Sequence, residues 1–182
     1  MLLEKSIKFL VSLSALLILV AFFSAWFQHQ AGPLLGFESG LQFHVAAAGI
    51  AVLTSLFSDT FVIFYFVGTG VWMRDRAKDL VSASQKTGAQ KVWDLYQIAN
   101  KLKASSLPFA TFGIVLALFS FILGGARQVG AISPWIHPTL GALFALNAFF
   151  GLKFHLRNIN KNLSYLDEVS MELDDSKWVL QK

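Results

Sequence analysis

Residues 41–72 read LQFHVAAAGIAVLTSLFSDTFVIFYFVGTGVW, and Asp59 is the one formally charged side chain among them. A bilayer core about 30 Å thick is crossed by roughly 20 apolar residues of helix, each rising 1.5 Å. This stretch is longer than that. From Leu41 to Trp72 a helix rises about 47 Å, so it must tilt, break near Gly68–Gly70, or project beyond the lipid. Three further stretches carry no Lys, Arg, Asp or Glu: Phe9–Phe37, Ala104–Ala126 and Gln128–Leu152. Each is long enough to cross a bilayer.

Composition agrees. Hydrophobic residues make up 55% of the 182-residue chain and charged residues only 14%, where soluble domains carry about 25% charge. The expected fold is therefore all-α and polytopic, an antiparallel bundle of four transmembrane helices with spans at about 9–28, 41–72, 105–126 and 135–156. Residues 74–104 are expected to form a cytoplasmic helical loop, and 157–182 a cytoplasmic helical tail. The first stretch follows Lys5 and Lys8 as a signal peptide would. It lacks a small-x-small cleavage site and its apolar run is longer than a signal core, so it reads as a retained span.

Orientation follows from the fifteen Lys and Arg residues. Two precede the first span, seven lie in the central loop from Arg74 to Lys103, and five lie in the tail from Lys153 to Lys182. The other side receives only Arg127. The positive-inside rule then places both termini and the central loop in the cytoplasm, with Trp26 and Trp135 at the outer interface. A prokaryotic cytoplasmic membrane is the simplest host. The basic pI of 9.4 is a consequence of topology, and no basic-aromatic groove suggests nucleic acid. With no cysteine in the chain, disulfides, thiolate metal sites and cysteine nucleophiles are excluded.

Helical spacing continues beyond the spans. Val92, Leu95, Tyr96, Ala99 and Leu102 repeat before the third span, and Leu156, Ile159, Leu163, Leu166 and Leu173 follow the fourth, interrupted at Ser170. These favour three helices extending together below the membrane, with a turn within Ser82–Gln90. The rival arrangement lays Lys91–Lys103 flat on the inner leaflet.

Ionisable side chains inside spans are costly, which makes each a candidate functional group. At 100° per residue, His44, Ala48, Ala51, Ser55 and Asp59 fall on one stripe of the second span. His137, Gly141, Phe144, Ala148, Gly151 and His155 share a face of the fourth. Both stripes should point inward, because small residues allow close helix approach and polar groups need partners. His44 and His137 then lie at similar depth near the outer surface, placed to be axial ligands of a b-type haem. With His29 nearby, three imidazoles form an alternative transition-metal site. The bland reading is that such histidines only form hydrogen bonds. His155, beside Lys153 and Arg157, marks the inner boundary.

Asp59 is expected either level with Lys153, forming a salt bridge, or deeper, joined to Ser55, Ser58 or Thr60. A structural hydrogen bond or ion pair is the favoured role. Arg127 follows Gly124 and Gly125 and would meet Glu38 or a haem propionate, or simply snorkel to the interface. Gly68-Thr69-Gly70 lacks the strand-to-helix context of a phosphate loop.

No catalytic motif is present. The leading expectation is a non-enzymatic membrane subunit or accessory protein of a larger complex, partnered by lipid and by other membrane subunits or copies of itself. The alternative is a haem b electron-transfer subunit, and the third a small proton or solute transporter using Asp59. The outline is similar to that of small four-helix membrane cytochromes in architecture alone.

Overall fold

The computed structural model describes the backbone of residues 2–25, 40–82 and 86–180, and the side chains of 4–25, 40–82 and 86–173. Trp26, His29 and Glu38 lie outside the described residues. The chain is all-α: α1 spans Leu2–Ser24, α2 Gly40–Ser82, α3 Lys86–Gln128 and α4 Ile136–Leu180. All four are long and apolar enough to cross a membrane, as their sequences require.

Of the three ways α2 was expected to absorb its excess length, a break at Gly68–Gly70 is not taken. It runs unbroken from Gly40 to Ser82. α3 is equally continuous through Pro108, although a proline removes one rung of the helical hydrogen-bond ladder. Lys91–Lys103 is therefore the first part of the same helix as the third apolar stretch, and forms no separate surface helix. The expected turn within Ser82–Gln90 is shorter than that segment, because α3 already begins at Lys86.

Two compact units divide the chain: Met1–Phe61 with Pro108–Lys153, and Val62–Leu107 with Phe154–Lys182. The first unit takes a segment from every helix. Its core joins Ile18 and Ala21 of α1, Ala51 and Val52 of α2, Leu116 and Ala117 of α3, and Phe144 and Ala145 of α4. Half of these are alanines, which lets backbones come close, so dispersion contacts drive association where water-driven collapse is absent. Large apolar side chains face outward instead, among them Phe9, Leu16 and Phe23 on α1, Leu53 and Phe57 on α2, Phe119 and Ile122 on α3, and Leu146 and Phe149 on α4. Inside lie Ser14, Ser55, Ser58 and Ser120. An apolar exterior of this extent would aggregate in water and suits lipid.

The second unit combines the C-terminal part of α2, the N-terminal part of α3 and the C-terminal part of α4. Its core contains Met73, Ala77 and Leu80, then Ala89, Val92, Leu95 and Ala99, then Val169. The spacing seen in 92–102 does mark a buried face. In the tail, Ile159 and Val169 are fully buried, with Leu166 and Leu173 packed alongside. Val169 supplies the apolar contact where the pattern had faltered at Ser170.

Two asparagines run through this core at 0% exposure. Asn158 Nδ2 donates to Ser105 Oγ at 2.7 Å and Ser106 Oγ at 2.9 Å. Asn162 Nδ2 donates to Thr69 Oγ1 at 3.0 Å and Tyr65 Oη at 3.2 Å. Each amide thereby ties α4 to one other helix at one register. Lys91 Nζ lies 3.0 Å from Glu172 and 3.6 Å from Glu168 on the unit's surface, where solvent screens such pairs.

Candidate functional site

The last four carbonyls of a helix have no partner within it. In α1 these include Ala21, whose oxygen accepts from Ser24 Oγ at 2.7 Å. His44 of α2 reaches the same place, with Nδ1 3.1 Å from Ala21 O and 2.9 Å from Ser24 Oγ. A carbonyl only accepts, so Nδ1 carries the proton and the serine hydroxyl, already committed to Ala21 O, receives part of the same bond. The consequence is at the other nitrogen. Nε2 of His44 is left with its lone pair free, the state a metal ligand needs, and a backbone carbonyl behind Nδ1 is the usual orienting partner.

His137 sits in the first turn of α4 and faces α3 at Gly124. A Cβ built there would lie 2.9 Å from Cε1 and 3.3 Å from Nδ1 of the imidazole, so the ring occupies the space that any other residue would fill. Its Nδ1 is buried without a hydrogen-bond partner among the described residues, and so is the hydroxyl of Ser120 one turn earlier on α3. Buried polar atoms rarely stay unpaired. The His137 ring also bonds the Ser120 backbone carbonyl, which ties the start of α4 to α3 at this wall.

The imidazoles of His44 and His137 approach with ring centres 6.1 Å apart and planes inclined at 76°. They line a cavity of about 600 Å³ together with Ser120, Gly124 and Arg127, a volume in the range of small-molecule and cofactor sites. Most of its wall is apolar: Ile18, Phe22, Val52, Phe121 and Phe144 contribute. No group of three or more His, Cys, Asp and Glu side chains that could hold a metal ion occurs among the described residues. The three-imidazole alternative needs His29, which lies outside them.

Asp59 belongs to a different part of the same unit. Its Oδ2 accepts from Ser55 Oγ at 3.2 Å, and it takes part in no ion pair among the described residues. Lys153 is not its partner. The carboxylate instead presses on α3 at Gly113, where a Cβ would collide with Oδ2 and lie 3.1 Å from Asn147 Nδ2 of α4. Asn147 in turn donates to the Phe109 carbonyl at 3.1 Å. Three helices meet there through a serine, an acid, an amide and the missing side chain of a glycine. His155 is 3% exposed, with Nδ1 unpartnered among the described residues, and belongs to the second unit, not to the cavity.

Arg127 lies in the last turn of α3 and is held by the way that helix ends. Ala131 N–H bonds to Ala126 O at 2.9 Å and Gly130 N–H to Arg127 O at 3.0 Å, with Gly130 at φ +73°. This is a Schellman termination, in which the left-handed position favours glycine. The guanidinium donates from Nη1 to Pro134 O at 3.0 Å across the same turn.

No protein-family model, curated protein or solved structure matches the chain.

Proposed function

We propose that the protein is a four-span integral membrane subunit that holds a b-type haem between His44 and His137 and passes electrons within a larger membrane complex. The observation that carries this reading is the 6.1 Å separation of the two imidazoles. Two imidazoles sharing one metal ion from opposite sides would have ring centres about 6.2 Å apart, given a metal–nitrogen bond of about 2.0 Å and about 1.1 Å from nitrogen to ring centre.

Ligand number favours haem over a bare ion. A tetrahedral zinc site needs three or four protein donors, and among the described residues this cavity offers two imidazoles. A macrocycle brings four equatorial nitrogens of its own and asks the protein for only two axial ones. The apolar wall would exclude water from the ring, and the protonated Nδ1 of His44 on Ala21 O would fix that ligand's orientation. The bound iron would supply one-electron chemistry, consistent with a chain that offers no catalytic motif of its own.

The topology that accompanies this reading is antiparallel, with both termini cytoplasmic and the histidine cavity toward the outer face of a prokaryotic cytoplasmic membrane. Fourteen of the fifteen basic residues favour it. Partner subunits would supply and remove the electrons.

A reduced-minus-oxidised visible spectrum of protein purified after haem-replete expression tests the proposal. The expected result is the Soret and α-bands of a low-spin bis-imidazole haem, lost in both His44→Ala and His137→Ala. Absence of the bands in the unsubstituted protein, or bands that survive both substitutions, would overturn it.

A further inference from the structure

The cavity carries a guanidinium at its edge. Among the described residues Arg127 is the one Lys or Arg on the lining, and it is also the one Lys or Arg that the charge pattern assigns to the outer side. A chain that keeps Lys and Arg off that side everywhere else places its exception against the imidazole cavity. A guanidinium has five N–H donors in a rigid fork, and the bond to Pro134 O uses one. That bond, with the Schellman turn beneath it, fixes the group at the rim, and the side chain remains exposed. Arg127 takes part in no ion pair among the described residues.

The geometry points to Arg127 as the receptor for a carboxylate at the polar end of the cavity's ligand. The ligand is thus an amphiphile, with an apolar plane enclosed among Ile18, Phe22, Phe121 and Phe144 and an acid group at the rim. This inference rests on the haem reading and deepens it, by making the ligand's acid side arms part of what is recognised. A guanidinium suits the task because it meets a carboxylate with two parallel hydrogen bonds while keeping its charge.

The test compares ferric protoporphyrin IX with its dimethyl ester, in which the acid groups are masked. Both are titrated into the full-length protein in lipid nanodiscs, for the unsubstituted chain, Arg127→Gln and Arg127→Lys. The diacid should bind the unsubstituted chain about tenfold more tightly than the diester, a difference of about 1.4 kcal/mol. Arg127→Gln should abolish that preference by weakening the diacid alone, and Arg127→Lys should keep part of it. Unchanged diester binding also serves as the control that the variant is folded. Equal affinities for diacid and diester in the unsubstituted chain, or an equal loss of both in Arg127→Gln, would overturn the inference and leave the haem reading standing. If neither porphyrin gives a bis-imidazole spectrum with the unsubstituted chain, both readings are overturned.

Discussion

Gly124 and His137 interlock: the imidazole of α4 lies where a side chain of α3 would begin, 2.9 Å from the position of an added Cβ. Alanine at this position normally favours a helix by about 1 kcal/mol over glycine. Here the added methyl must push the ring aside. Gly124→Ala is expected to keep its helix content and thermal stability while losing at least about tenfold in porphyrin affinity, since ligand geometry tolerates little displacement. Circular dichroism and a haem titration on one sample separate the two effects.

Gly113→Ala should behave in the opposite way. Its methyl would meet the carboxylate of Asp59 and the amide of Asn147, and those groups are fixed by bonds to Ser55 and to the Phe109 carbonyl. Overpacking of this kind costs about 1–3 kcal/mol. Unfolding in mixed detergent should show that loss, and Asp59→Ala should recover much of it in the double variant. Strictly additive losses would show that the two residues do not share the space.

Asn158→Ala should destabilise the second unit by about 1–3 kcal/mol, because the hydroxyls of Ser105 and Ser106 lose their buried donor. Asn158→Leu restores volume without restoring the hydrogen bonds and should leave most of the deficit. The measurement is the unfolding midpoint of the intact chain for the three sequences.

Topology can be read with single cysteines, since the chain contains none. Val129, Val81 and Met171 are exposed side chains whose replacement disturbs no core. In intact cells an impermeant maleimide added outside should label Val129→Cys, and should label Val81→Cys and Met171→Cys only after permeabilisation. Labelling of all three from outside would invert or break the assigned orientation.

The four helices were legible because lipid imposes one simple demand, a long run without charge, and the sequence answers it four times. The stripe through His44, Ser55 and Asp59 was legible for a related reason, since a few polar residues at helical spacing on an oily rod must share a face. Periodicity says nothing, however, about what lies across from that face. Asn147 is about 80° off the line of His137 on α4, so no stripe drew attention to it, yet it packs beside Asp59. The bond between His44 and Ala21 O was hidden for another reason: a backbone carbonyl has no sequence signature, and only the end of α1 leaves one unclaimed. Gly113 and Gly124 read as unremarkable small residues until the side chains that fill their places are known. Asn158 and Asn162 did carry a signal, two amides flanking an apolar seam, that an emphasis on the leucines passed over.

The Schellman turn at Gly130 has one more consequence. Because α3 stops at a fixed residue and α4 restarts at Ile136, the short link between them acts as a ruler that sets both the height and the heading of His137. One residue more or fewer in that link would swing the imidazole about 100° around its axis, out of view of His44. Length variation should therefore be forbidden there, although surface loops elsewhere usually tolerate it.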